Sequence, residues 1–122
     1  MSGPVTNYAE LAKSISARIG TLRTSTPEVM KGFNELGRAA TAAGALDPKT
    51  KELIAVALSV AARCDPCIAF HTQALVKLGA TRQELDETLG VTTYMGGGPS
   101  LMYAASAVAA FDEFAQAAAA PH

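Results

Sequence analysis

The sequence is short of charge and lacks a basic cluster. Charged residues make up 17% of its 122 residues and the net charge is −1, whereas soluble domains carry roughly 25% charged residues. Because lysine and arginine form no stripe, nucleic acid and anionic membranes are not expected as partners. Apolar residues make up 49% of the chain, and a small monomer buries only part of such a surface. The composition therefore predicts a homo-oligomer.

Long apolar runs are also lacking. The longest, over 53–62, is interrupted by Ser59 and is far shorter than the ~20 residues that span a bilayer. No basic, then apolar, then small-residue segment opens the sequence, so we expect no secretory signal and a cytoplasmic location. In that reducing compartment, a cysteine pair is expected to be catalytic or metal-binding rather than a permanent structural bridge.

Strand patterns are absent from the sequence as well. It shows no sustained alternation of apolar and polar residues and no Asn-Gly or Asp-Gly hairpin turn, so the fold class is predicted to be all-α. A CxxC motif on a thioredoxin fold needs a strand-helix-strand context, which this sequence does not offer. At its length, the chain is expected to form one domain over residues 1–122.

Capping signals divide the chain into six predicted helices. Each start has a residue that can cap free backbone N–H groups, a proline that fits the first helical turn, or both. The predicted starts, in chain order, are Thr6–Asn7, Thr26–Pro27, Asp47–Pro48, Asp65–Pro66, the capping box of Thr81 with Glu84, and Pro99 after the glycines 96–98.

Apolar spacing predicts what these helices bury. Residues at helical spacing in the second helix are expected to face inward. They are Val29, Met30, Phe33, Leu36 and Ala40. The third helix is apolar all round beyond its first turn, so it is expected to be surrounded by protein. Small residues over 104–110 let another helix approach the sixth closely and predict an interface there.

Both cysteines lie close to the only histidine away from the C-terminus. Cys64 and Cys67 flank Asp65–Pro66, and Asp before Pro predicts a helix that begins there with the aspartate as its N-cap. Cys67 then falls in the first turn, where the positive end of the helix dipole favours thiolate over thiol. Cys64 is near enough for a disulfide if the local geometry is right. His71 follows Cys67 by four residues, so both side chains project from one helix face.

The spacing Glu-x11-Cys-x2-Cys-x3-His, over Glu52, Cys64, Cys67 and His71, resembles the active-site signature of a known family. It is similar to the carboxymuconolactone decarboxylase-like family, in its alkylhydroperoxidase (AhpD-like) branch. The flanking segments PKTKELIAVALSVAARC, LGATRQEL and YMGGGPSLMYAASAVAAF look like the family too, so the likeness covers about 27–114. The resemblance implies an AhpD-like helical fold and a homo-oligomer, commonly a trimer or hexamer.

The resemblance also implies a role for each of the four site residues. Cys67 would be the attacking thiolate and Cys64 the resolving thiol, while Glu52 and His71 would form a proton relay. Some family members carry a further histidine between the cysteines, where this chain has Asp65–Pro66. The relay implied here is therefore shorter.

These roles predict a thiol-dependent peroxidase or disulfide reductase that acts on alkyl hydroperoxides. An external dithiol, on a lipoyl-bearing or thioredoxin-like protein, would reduce the oxidised pair by thiol exchange. No flavin, haem or nucleotide motif is present in the sequence, so no cofactor is expected.

Three alternatives stay open at the level of sequence. The chain could be a lactone decarboxylase, the activity from which the broad family takes its name. It could be a non-catalytic helical oligomer that senses redox state or binds zinc, because two cysteines, His71 and Glu52 are ligands of acceptable type. The cysteines could also be buried and unreactive.

The position of Glu52 raises a geometric question. A straight helix places it ~18 Å along the axis from Cys64, so an antiparallel hairpin would set it away from Cys67. Either the helices cross steeply, the third helix ends early, or a neighbouring subunit completes the site.

Overall fold

The computed structural model describes residues 7–120, and within that range the chain forms helices and no strands. The elements, in chain order, are α1 (Tyr8–Ser25), α2 (Pro27–Thr41), α3 (Pro48–Ala61), α4 (Asp65–Lys77), α5 (Arg82–Gly96) and α6 (Gly98–Ala119). The prediction of an all-α fold of six helices is confirmed. None of these helices is both long enough and apolar enough to cross a membrane.

Local capping sets the start of α3 and of α5. Asp47 accepts the backbone N–H of Thr50 at 2.7 Å, as its place before Pro48 predicts. At α5, the Thr81 hydroxyl accepts the N–H of Glu84 at 3.0 Å, and the carboxylate of Glu84 accepts the N–H of Thr81 at 2.8 Å. This reciprocal pair is the predicted capping box.

The start of α1 is held from the far end of the chain. Glu113 on α6 accepts the backbone N–H groups of Tyr8 and Ala9, each at 2.9 Å. Asn7 is the N-cap of α1, whereas Thr6, the other candidate, lies outside the described residues. The carboxylate thus satisfies two of the N–H groups that have no partner inside the helix.

The hydrophobic core lies where α4 packs between α3 and α6, with α1 and α5 closing it. Its largest fully buried apolar side chains are Val56, Val60, Ile68, Leu75 and Leu85. Three alanines at one face of α6, at positions 104, 107 and 110, are buried in this same core. The small residues of α6 therefore allow close packing inside the protomer, and the interface predicted at this helix stays a prediction.

Two predictions about burial are wrong within the protomer. No residue of α2 is buried. One side of α2 packs against α1, and its apolar face is left exposed to solvent. On α3, Ile54 and Leu58 are exposed, so this helix is covered on one side only. The second helix ends at Thr41.

Two glycines make the tight junction between α5 and α6. Gly97 has φ +76°, a left-handed conformation that costs glycine little. A Cβ on Gly96 would collide with the side chain of Ser100. The predicted break at these glycines is confirmed, and Pro99 stands in the first turn of α6.

Candidate active site

The cysteine pair forms the N-terminus of α4 and is joined by a disulfide, with the Cα atoms of Cys64 and Cys67 5.2 Å apart. Cys67 lies in the first helical turn, as predicted. The predicted N-cap is wrong: Asp65 is already helical, and Cys64 is the N-cap, in extended conformation. The Sγ atom of Cys64 accepts the backbone N–H of Cys67 at 3.3 Å, so sulfur takes the role expected of the Asp65 carboxylate.

The turn before α4 fixes where Cys64 stands. The N–H of Arg63 donates to the Val60 carbonyl, and the N–H of Cys64 donates to the Ser59 carbonyl, both at 3.0 Å. These two bonds close α3 in a Schellman motif. Arg63 takes the left-handed position of that motif with φ 58°, where glycine is usual.

His71 and Glu52 meet across the α3–α4 pair. The Nδ1 atom of His71 lies 2.7 Å from Oε2 of Glu52. The Glu52 side chain is 12% exposed and that of His71 is 36% exposed. A carboxylate that is nearly removed from water is therefore paired with an imidazole that still reaches solvent.

Antiparallel packing of α3 on α4 is sufficient to bring these two groups together in one subunit. Glu52 lies nine residues before Ala61, or ~14 Å, and His71 lies six residues after Asp65, or ~9 Å. The remaining ~5 Å is within the reach of the two side chains. Glu52 therefore meets His71 and not Cys67, which is one turn nearer the helix start, and no second subunit is needed.

The pairing decides which ring nitrogen is free. An ionised carboxylate only accepts hydrogen bonds, so Nδ1 of His71 carries the proton that it donates to Glu52. In the neutral ring Nε2 then keeps its lone pair and can accept a proton from elsewhere. His71 stands one helical turn after Cys67 on the same face of α4. The geometry thus pairs a carboxylate with an imidazole, and helical spacing puts that imidazole on the same face of α4 as Cys67.

The structure pairs Glu52 with His71 and Cys64 with Cys67, whereas sequence reasoning missed how the turn between α3 and α4 is built. The signal for the turn was weak, because arginine is rarely the left-handed residue of a helix end. The signal for Cys64 as a cap was masked by the stronger Asp-Pro pattern. For the zinc alternative, the part of the chain that the structure describes contains no group of three or more His, Cys, Asp or Glu side chains placed to hold a metal.

The fold and the site define an all-α protein with a cysteine pair at a helix start and a Glu-His pair behind it. The model of the carboxymuconolactone decarboxylase family matches residues 27–111. The chain belongs to this family, which includes enzymes, and its disulfide-bonded CxxC pair is consistent with the AhpD-like branch.

Solved structures show the same fold in other organisms. The crystal structure of an apo carboxymuconolactone decarboxylase family protein from Legionella pneumophila is 58% identical, with a TM-score of 0.87 over 88% of this chain and 96% of that one. A crystal structure from Thermotoga maritima is 27% identical, with a TM-score of 0.77 over 93% of this chain and 97% of that one.

Curated relatives are similar over most of their length. An uncharacterized protein of Cupriavidus necator is 45% identical over 98 residues, which is 80% of this chain and 87% of the relative. An uncharacterized protein encoded in the cox locus of Paracoccus denitrificans is 34% identical over 98 residues, covering 80% and 88% of the two chains.

Proposed function

We propose that this protein is a thiol-dependent peroxidase that reduces alkyl hydroperoxides through its cysteine pair. The observation that carries the proposal is the 2.7 Å contact of Glu52 with His71, one turn after Cys67. A buried carboxylate that orients an imidazole beside a thiol is the arrangement of an activated sulfur nucleophile. A cysteine pair that only stabilised the fold would not need such a base.

The catalytic cycle begins with the reduced pair. Nε2 of His71 takes the proton of the Cys67 thiol, while Glu52 stabilises the imidazolium that forms. The thiolate attacks the terminal oxygen of the hydroperoxide, the O–O bond breaks, and Cys67 becomes a sulfenic acid. The alkoxide leaves as an alcohol after it takes the proton back from His71.

The second half of the cycle closes the disulfide. The thiol of Cys64 attacks the sulfenic sulfur of Cys67, water leaves, and the Cys64–Cys67 bond forms. An external dithiol then reduces this bond by thiol exchange and is itself oxidised to a disulfide. The net reaction converts one hydroperoxide and one dithiol into an alcohol, water and one disulfide.

The cap of α4 indicates which sulfur leaves during reduction. Sγ of Cys64 accepts a backbone N–H at the positive end of the helix, which stabilises negative charge on that sulfur. Cys64 is thus the better leaving thiolate, and the external dithiol attacks Cys67. Within the proposal the reductant is a lipoyl-bearing or thioredoxin-like protein, and the reaction takes place in the cytoplasm, where such dithiols are kept reduced.

The test follows consumption of an alkyl hydroperoxide with dihydrolipoamide as the dithiol. Cys67→Ser should abolish turnover, because it removes the sulfur that His71 deprotonates in the proposed cycle and leaves Cys64 without a partner for the disulfide. With hydroperoxide but no dithiol, Cys64→Ser should react once and leave a sulfenic acid on Cys67, which dimedone labels and mass spectrometry locates. Full turnover by Cys67→Ser would overturn the proposal.

The same preparations distinguish the alternatives. Release of CO2 from carboxymuconolactone that persists after alkylation of both thiols would identify a decarboxylase. One zinc per chain in protein purified without chelator would identify a metal site, since bound thiolates are not free for catalysis.

A further inference from the structure

A pocket of about 370 Å³ opens between the second half of α1 and the first half of α2, with Phe70 of α4 as its third wall. Its apolar lining consists of Ile19, Leu22, Met30, Phe33 and Phe70. Phe33 is 68% exposed and Leu22 is 48% exposed, so much of this lining faces solvent. We call this site the α1–α2 pocket, and its volume is within the ~300–1,000 Å³ that small-molecule sites occupy.

Phe70 places the α1–α2 pocket beside the cysteine pair. It follows Cys67 by three residues on α4, and His71 follows Cys67 by four. At ~100° per residue, side chains three and four positions on lie one turn along the helix, to either side of the first. Cys67 therefore has the imidazole on one side and the wall of the pocket on the other. An organic group held in the pocket can present a peroxide to the sulfur.

The charge of the pocket is positive. Among the side chains that line it, Arg23 is the one cation, and no carboxylate is present. Arg23 is exposed and forms no ion pair within residues 7–120. After Glu10, the three charged residues of α1 are all basic. The guanidinium is therefore available to a carboxylate, whose two oxygens match the fork of its N–H groups.

We infer that the α1–α2 pocket binds the organic group of the substrate and that Arg23 binds a carboxylate on it. The protein would then prefer hydroperoxides of carboxylate-bearing apolar chains, such as fatty acids, to uncharged alkyl hydroperoxides. This inference rests on the peroxidase function proposed above and adds the substrate class to it. Burial of the chain against Phe33 and Phe70 supplies affinity, whereas Arg23 supplies selectivity. The chemistry at sulfur stays with Cys67 and His71.

Binding is measured first without turnover, by NMR chemical-shift titration of the oxidised full chain. Octanoate carries an apolar chain and a carboxylate but no peroxide, and 1-octanol carries the chain alone. Wild type should bind octanoate about 2–5-fold more tightly than 1-octanol, which is the strength of an exposed ion pair. The shifted amides should belong to α1, α2 and the segment of α4 around Phe70. Arg23→Gln should abolish the preference and leave the affinity for 1-octanol unchanged.

Phe33→Ala should weaken the binding of both ligands about 5-fold, because it removes apolar surface that packs on the chain. Leu36→Ala is its matched control, since Leu36 is 65% exposed on the same helix and lies outside the pocket lining. Arg18→Gln is the control for Arg23, because it removes one charge from α1 outside that lining. Both controls should bind as wild type does, and circular dichroism verifies that every variant is folded.

Turnover tests whether the bound chain is a substrate. With dihydrolipoamide as the dithiol, kcat/KM for linoleic acid hydroperoxide should exceed that for its methyl ester about 2–5-fold. Arg23→Gln should bring this ratio to about one by raising KM for the acid, with kcat unchanged. Octanoate should compete with the hydroperoxide in wild type.

The inference is overturned if octanoate shifts no amides of α1 and α2, or if Arg23→Gln keeps the preference for the acid. It is also overturned if Leu36→Ala weakens binding as much as Phe33→Ala, which would place the ligand on the outer face of α2. Octanoate that binds as stated to a protein that consumes no peroxide would refute the peroxidase and keep the carboxylate site. Peroxide turnover that octanoate does not inhibit would refute this inference and keep the peroxidase.

Discussion

Among the residues that do not contact a sulfur atom, Glu52 is the one on which the proposed chemistry most depends. It is buried on α3 and its carboxylate meets one ring nitrogen of His71. It is therefore a positioning residue, which fixes the tautomer of the imidazole and stabilises the charge that the ring gains. In the proposed cycle, the residue that exchanges a proton with Cys67 is His71.

Glu52→Gln keeps the shape of the side chain and an oxygen that accepts the Nδ1 proton, but it removes the negative charge. We expect the rate of peroxide-driven disulfide formation to fall by at least ~10-fold, within the ~10²–10⁴-fold that a general base contributes in total. Stopped-flow measurement of thiol loss after one equivalent of hydroperoxide gives this rate. Unfolding by urea should be little changed, which separates the role from a structural one.

Glu52→Asp tests the same idea from the other side, because it keeps the charge and shortens the reach. It should recover part of the lost rate, while Glu35→Gln on the exposed face of α2 should lose none. Equal rates for wild type and Glu52→Gln would remove Glu52 from the relay.

At the scale of single elements, the two Asp-Pro pairs show how far local sequence determines structure. Before α3 the aspartate caps the helix as predicted, with Asp47 bound to the amide of Thr50. Before α4 the same Asp-Pro pair lies one position further into the helix, because Cys64 is the N-cap and Asp65 is the first helical residue. The Sγ atom of Cys64 serves as the capping atom and is held in place by the disulfide. A covalent bond and a neighbouring helix end are not visible in a capping pattern, so this start could not be predicted from it.

Burial of helix faces was predictable for α5 and not for α2. Leu85 and Leu89 point inward as their spacing predicts, and Thr92 rather than Val91 continues that face. The apolar face of α2 has an equally clear spacing. Periodicity shows that a face will be covered, but it does not show whether the cover comes from the same chain.

The N-terminal end of α3 makes stability depend on pH. The amide N–H of Thr50 holds the pKa of Asp47 below its ordinary value of 3.8. Lys49 holds the pKa of Glu84 below its ordinary value of 4.5. Both carboxylates reach solvent, so the effects are modest. Because each folded pKa is lowered, the stabilisation is present above the ordinary values and is lost as pH falls through the lowered ones.

We therefore expect the free energy of unfolding to decrease between about pH 5 and pH 2, with a smaller decrease for Asp47→Asn. Asparagine keeps a capping oxygen, so the variant should resemble wild type in helix content and differ only in this acid range. Urea unfolding at a series of pH values measures both curves. Superimposable acid limbs would show that the Asp47 cap does not contribute.

At the scale of the whole molecule, the cysteine pair contributes little to holding the chain together. The stabilisation from a disulfide grows with the logarithm of the length of the loop it closes, and a loop of about four residues is worth roughly 2 kcal/mol against roughly 5 for a hundred residues. The protein should therefore remain folded when the bond is reduced. A site that cycles between dithiol and disulfide needs this property.

The first and last helices are joined by the carboxylate of Glu113, which accepts backbone N–H groups from residues 105 and 104 positions earlier in the sequence. Glu113→Ala leaves Tyr8 and Ala9 without these acceptors, and we expect it to lower the free energy of unfolding by about 1–2 kcal/mol. Gln116→Ala, an exposed change on the same helix, is the control. Thermal and urea unfolding give the difference, and identical stabilities for the two variants would contradict this role.

The large sequence separation of that contact also determines the stage of folding at which it forms. Closing a loop of about a hundred residues costs more chain entropy than forming the α3–α4 hairpin, so the Glu113 contact is expected to form after the rest of the core. Its loss should accelerate unfolding and leave the refolding rate nearly unchanged. The contact between the first helix and the last is then formed at the end of folding and controls the lifetime of the folded state.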